Sequence, residues 1–195
     1  MNKHTNILKI INNMNKITLG NKVVVSDPCY ELDTWCAGTL NNVLPGEYKC
    51  DIVKENNRWG ERVSHLYAVH NDYNVKLKEI NEMQDFEVGV DSGTAGIFDY
   101  DYYALYHLGK TDDQWYDHRI CNAFYPNRME MGISIIQTHN KGVVSLSGFG
   151  DGSYTCFVKR NDEGQIIAIM IEYISDCEDE DYSNDDYDEN DYYND

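Results

Sequence analysis

The sequence predicts a β-rich α+β domain, a mostly antiparallel sandwich or strongly curled sheet with two or three short helices near its middle. Three observations carry that prediction. Short apolar, β-branched runs recur along the chain, as in Val23-Val24-Val25 and Ile166 to Ile171. Turn-forming clusters such as Leu44-Pro45-Gly46, Asn56-Asn57 and Gly150-Asp151-Gly152 separate these runs. Only a few stretches carry the helical period instead.

Taken in order, Ile7, Ile10, Ile11 and Met14 lie at helical spacing and predict a short amphipathic helix over residues 4 to 15, within a helical lead-in of residues 1 to 21. Residues 22 to 26 read as a strand that Asp27-Pro28 ends, because proline lacks the amide a central strand must donate. Residues 31 to 44 read as loop. Tyr48 to Val53 and Arg62 to His70 read as strands joined through a hairpin at Asn56 to Gly60. Residues 75 to 84 fit a short helix slightly better than a strand. Phe86 to Val90 is the next strand, with Ile97-Phe98-Asp99 continuing beyond a Ser92-to-Gly96 bend. Two helices follow, Tyr102 to Leu108 and Asp112 to Phe124, the second opened by a capping box, Thr111-Asp112-Asp113-Gln114. Four runs, 131 to 138, 142 to 147, 154 to 160 and 165 to 173, close the body as an antiparallel meander. The expected organisation is a lead-in over 1–21, one β-rich domain over 22–175 and an acidic, disordered Asp/Tyr tail over 176–195.

The chain has 195 residues, enough for one self-supporting core, and carries 34 acids against 16 bases for a net charge of −18. Eleven of those acids, with four tyrosines and no Lys or Arg, fall in residues 176 to 195. The tail is too charged and too poor in aliphatics to fold, and is read as an accessory segment. The remaining 23 acids and 16 bases leave the body only moderately acidic. No Lys/Arg cluster is visible for phosphate contacts, so direct nucleic-acid binding is not expected. Six cysteines form no C-x-x-C pair, and the N-terminal residues lack the apolar core of a signal peptide. The longest aliphatic stretch is six residues, far short of the roughly 20 a membrane span needs. The expectation is a cytoplasmic protein with reduced thiols and no membrane association.

Three apolar runs end in an aspartate among turn residues: Ser26-Asp27-Pro28, Val90-Asp91-Ser92-Gly93 and Gly150-Asp151-Gly152. Acids delivered from strand ends onto turns can coordinate a hard cation, act as acid and base, or hold a ligand's hydroxyls, provided that they converge. Turn chemistry alone explains each one singly, since Asp bonds its own following amides. Asp99 is the natural fourth member, and Ser92 and Tyr154 complete the candidate ligand-binding set of Asp27, Asp91, Ser92, Asp99, Asp151 and Tyr154. No catalytic residue is assigned. His65 and His70, five apart on one strand, face opposite sides, and the other histidines share no metal-ligand spacing, so no metal site is predicted. Cys29 is the most exposed-looking thiol for nucleophilic chemistry, with a buried structural role as the plainer alternative. Gly148 to Gly152 puts an acid where a phosphate cradle wants bare amides and a lysine, and reads as a tight turn. Tyr100, Tyr102, Tyr103 and Tyr106 cluster as core or interface aromatics, with a recognition groove as the sharper alternative.

In their order, Ser26-Asp27-Pro28, Leu44-Pro45-Gly46-Glu47-Tyr48, Arg62-Val63, Val90-Asp91-Ser92-Gly93 with Phe98-Asp99, and Gly148-Phe149-Gly150-Asp151-Gly152-Ser153-Tyr154 resemble domain of unknown function 4241. That family of bacteria and their phages has a D-P turn, a P-G-x-Y strand entry, a V-D-x-G segment and a G-D-G-x-Y turn. The resemblance spans about residues 22 to 174. This chain has a single proline before Gly46 where the family often has two, and cysteines follow Pro28 and Trp35. The resemblance implies a fold and a set of positions and transfers no mechanism. The leading functional expectation is a binding or interaction protein with a polar pocket around Asp27, Asp91 and Asp151, its partner an unidentified protein or polar small molecule. One alternative is a hydrolase using paired aspartates, with or without a divalent cation. The other is an immunity or anti-defence protein whose acidic surface occupies a basic partner. No other cofactor is expected, and the balance leans away from an enzyme.

Overall fold

The computed structural model describes residues 15–58, 60–107 and 135–175. Eleven strands among these residues form two antiparallel sheets. The first sheet has the order β1(Asn15–Leu19), β4(Gly46–Asn57), β5(Gly60–His70), β11(Ile166–Glu172), β10(Gly152–Arg160), β6(Glu82–Val90). The second runs β3(Gly38–Asn41), β2(Lys22–Ser26), β7(Thr94–Asp99), β9(Gly142–Leu146), β8(Ile135–Thr138).

One apolar core joins the two sheets, with Tyr48, Leu66, Val88, Cys156 and Ile169 from the first meeting Val23, Val25, Ile97 and Val143 from the second. The expected β-rich antiparallel architecture is therefore present, as two layers sharing a core. Burial on both faces explains why β2, β7 and β11 read as unbroken apolar runs and not as alternations. The far side of the second sheet, at Val24, Phe98 and Val144, is covered by Tyr102 and Tyr103 of α1(Tyr100–His107). The far side of the first, at Val69, Ala168 and Met170, is covered by Ile80 with Val75 and Leu77.

Several expectations change. Residues 15 to 19, placed within a helical lead-in, form strand β1, which pairs in register with β4 from Asn15↔Cys50 to Leu19↔Gly46. The loop expected over 31 to 44 contains the short edge strand β3. Within 75 to 84 there is only a single 3-10 turn, Leu77–Glu79, and β6 begins at Glu82. One α-helix is described. The expected helices at 4 to 15 and 112 to 124 fall, but for residue 15, outside the described residues, as does the tail from 176. The closing meander is split: β8 and β9 belong to the second sheet, and β10 and β11 to the first.

The connections β6–β7 and β9–β10 both cross between sheets, and they do so side by side. Gly152 sits opposite Val90 in one sheet and Thr94 opposite Leu146 in the other, while the Ser147 amide donates to the Gly93 carbonyl at 3.1 Å. The start of β5 reaches the same rim, where the Ser64 carbonyl accepts the amides of Tyr173 and Ile174. At the opposite rim the P-G-x-Y segment has a steric explanation. A Cβ at Gly46 would stand 2.3 Å from Nε2 of His70, a ring held between Tyr48 and Tyr73. The Tyr48 hydroxyl, two residues on, donates to the carbonyls of Leu44 and Ile166.

Candidate functional site

Asp27 leaves the end of β2 completely buried, and its carboxylate receives four hydrogen bonds. Oδ1 accepts the Cys29 amide and the Ser92 hydroxyl, each at 2.8 Å. Oδ2 accepts the amides of Asp91 at 2.9 Å and Ser92 at 2.8 Å. Burying a carboxylate is tolerable only when donors replace its hydration, and charge-assisted bonds do so most strongly. The S-D-P and V-D-x-G segments are thus two halves of one latch that ties the end of β2 to the β6–β7 crossing. Tyr103 of α1 fastens the same corner, its hydroxyl donating to the carbonyls of Asp27 at 3.1 Å and Tyr30 at 2.6 Å.

The G-D-G-x-Y segment is a second latch. Gly148 and Gly150 take positive φ, +62° and +103°, and the Gly150 amide closes the turn onto the Ser147 carbonyl. The Tyr154 hydroxyl then reaches back to the carbonyls of Ser147 at 2.8 Å and Gly150 at 2.7 Å. Its ring packs edge-on against Tyr173, whose hydroxyl meets that of Ser145 at 3.1 Å. Removing only that oxygen, in Tyr154→Phe, should cost about 1–2 kcal/mol in urea unfolding and speed amide exchange at Gly150.

The candidate residues therefore divide. Asp27, Asp91 and Ser92 come together, and Asp151 lies on the same rim, exposed, one residue before the Gly152↔Val90 pair. Tyr154 holds the Asp151 turn in shape. Asp99 is at the other end of β2 and β7, opposite Val23, about four strand residues or roughly 13 Å along the sheet. There it caps α1, accepting the Tyr102 amide at 3.2 Å, and also accepts the Gly20 amide at 2.8 Å. The topology sends it to the opposite rim, so it is no fourth member of the trio.

Between the two crossings and the start of β5 lies a half-open groove of about 240 Å³. Its walls are Glu61, Arg62, Val63, Gly93 and the stretch Leu146 to Gly150, with the Phe149 ring 58% exposed. None of the three aspartates lines it; they shape the turns that do. Arg62, Val63, Gly93 and Gly148 to Gly150 all belong to segments that carried the family resemblance, yet no local pattern marked them as one site.

Other chemistry is less available. Loss of water, then the hydrogen-bonding Asp27 carboxylate and the charges of Asp27 and Asp91, push the Cys29 thiol up, which opposes thiolate formation. Ser64 Oγ, His65 and Glu172 line up at 3.0 and 3.5 Å, but Ser64 is wholly buried, beyond reach of a substrate. His139 contacts the Tyr102 hydroxyl. Among the described residues no three His, Cys, Asp or Glu side chains gather as metal ligands. No helix among them is long and apolar enough to cross a membrane.

The family model described as "Protein of unknown function (DUF4241)" matches residues 19–171. The chain belongs to this DUF4241 family. Neither a curated protein nor a solved structure matches it. The match begins at Leu19, the last residue of β1, and ends inside β11, so the DUF4241 region takes in both latches and every wall of the groove.

Proposed function

We propose that this DUF4241 protein is a binding protein whose ligand site is the rim groove framed by the Asp91 and Asp151 turns. The observation that carries the reading is the convergence of three separate chain segments, Arg62-Val63, Gly93 and Leu146 to Gly150, on one cleft. Their turns are fixed by hydrogen bonds before any ligand arrives, which spares the ordering cost of binding. An exposed phenylalanine beside glycine turns supplies an apolar wall where a ligand can approach the backbone closely. The aspartates act one step back, as supports, and the polar pocket expected around them becomes a groove beside them.

A paired-aspartate hydrolase draws less support, because both oxygens of Asp27 are already engaged by four donors. Amide chemical-shift mapping of the full chain against a small-molecule fragment set tests the groove. Saturable shifts should concentrate at Gly93 and Gly148 to Gly150; binding that maps only to other surfaces would reject it. Phe149→Ala should change stability by less than about 0.5 kcal/mol, since the ring is mostly exposed, and should weaken fragment binding at least tenfold.

A further inference from the structure

We infer that the groove takes an organic anion, a carboxylate or phosphate group on a planar or apolar body, with the Arg62 guanidinium as its counter-charge. This rests on the groove being the ligand site and adds the chemical class of the ligand.

Three features point the same way. Lys16, Lys54, Lys141 and Arg160 each have a carboxylate within 4.0 Å. Arg62, in the groove wall, has no carboxylate at that distance among the described residues, although Glu55 is its cross-strand neighbour and Glu61 adjoins it. One of its N–H groups goes to the Glu61 carbonyl at 3.0 Å, which leaves most of the planar fork for a bidentate anion.

In the Ser147 to Gly150 turn, the Ser147 carbonyl accepts the Tyr154 hydroxyl and the Gly150 amide, and the Gly150 carbonyl accepts the hydroxyls of Tyr154 and Ser147. The Gly148 and Phe149 amides have no acceptor among the described residues. Paired backbone amides beside a positive-φ glycine are a common way to hold an anion. The acid in this loop, Asp151, is not among the groove residues. Finally, the Phe149 ring offers a face for the body of the ligand, so that charge and apolar surface are recognised together.

The test uses the full chain and four probes of one size: phenyl phosphate, benzoate, benzamide and benzylamine. Amide shifts at Gly93 and Gly148 to Gly150 should saturate with phenyl phosphate or benzoate at millimolar concentration. The better of the two identifies phosphate or carboxylate as the preferred group. Benzamide and benzylamine should bind at least tenfold more weakly, and Arg62→Gln should remove the preference for the anions without changing the melting temperature by more than about 2 °C. Equal binding of benzamide, stronger binding of benzylamine, or an unaltered anion preference in R62Q would overturn the inference and leave the groove standing. Failure of all four probes to move those amides would overturn both.

Discussion

Asp27→Ala should be the most damaging single change at any of the four strand-end aspartates, lowering unfolding free energy by about 3–5 kcal/mol. The substitution leaves the amides of Cys29, Asp91 and Ser92 and the Ser92 hydroxyl without their acceptor, and each unsatisfied buried donor costs about 1–3 kcal/mol before water at the rim relieves some of it. Asp27→Asn is the sharper probe because it keeps the shape. Its NH2 must face either the Cys29 amide and Ser92 hydroxyl or the amides of Asp91 and Ser92, so a donor meets a donor in both orientations. Only the Ser92 hydroxyl can turn to accept, and a loss of about 2–4 kcal/mol is expected. Asp99→Ala, which removes a helix cap and the Gly20 contact, should cost about 1–2 kcal/mol. The exposed Asp151→Asn should cost less than about 0.5 kcal/mol. Urea unfolding of the four variants checks this order; equal effects at Asp27 and Asp151 would refute it.

Alkaline pH should destabilise the fold well before it threatens the covalent chain. Burial pushes the thiols of Cys50 and Cys156 up from an ordinary 9.0, and the phenols of Tyr48, Tyr103 and Tyr173 up from 10.0. Below those ordinary values folded and unfolded chains hold the same protons, and stability is full. Above them the unfolded chain releases protons that the native core retains. Stability then falls by about 1.4 kcal/mol per pH unit for each group, and continues to fall until the raised native values are reached. The two thiols act first and remove about 3 kcal/mol by pH 10, with the three phenols steepening the decline beyond it. Urea midpoints measured from pH 8 to 10.5 should drop accordingly, and a Cys50→Ala, Cys156→Ala double variant should flatten the portion between pH 9 and 10. A midpoint that stays constant to pH 10.5 would contradict the burial of these groups.

The strands that sequence reveals best here are the ones buried on both faces. Ile166 to Ile171 and Val23 to Val25 stand out because both sides of each strand meet apolar neighbours. Strand β3, Gly38–Asn41, buries little more than Leu40, and β1, Asn15–Leu19, continues a polar run, so these two edge strands leave almost no pattern. Local turn chemistry also cannot tell a hairpin from a crossing. Gly148 to Gly152 looks like the link between neighbouring strands, yet it carries the chain from one sheet to the other.

The site was legible to the same depth. Turn chemistry accounts for the bond from the Cys29 amide to Asp27, two residues away. The three bonds from Asp91 and Ser92 span 64 and 65 residues and leave no local trace. Arg62 enters the sequence only as part of the family resemblance, and nothing local marks it as lining the same groove as Phe149. What a single sequence can expose is the residue that makes a turn; the cleft between two turns is a product of topology.

Native-state hydrogen exchange at Asp91 and Ser92 tests the latch beneath the groove most directly. These amides lie in a turn between strands, where free N–H groups exchange almost at once. With the Asp27 carboxylate as their acceptor they should exchange as slowly as the adjoining ends of β6 and β7, and that protection should collapse in Asp27→Asn while the central strands keep most of theirs. Exchange of both amides at the rate of an open turn in the unaltered protein would show that Asp27 does not hold the rim.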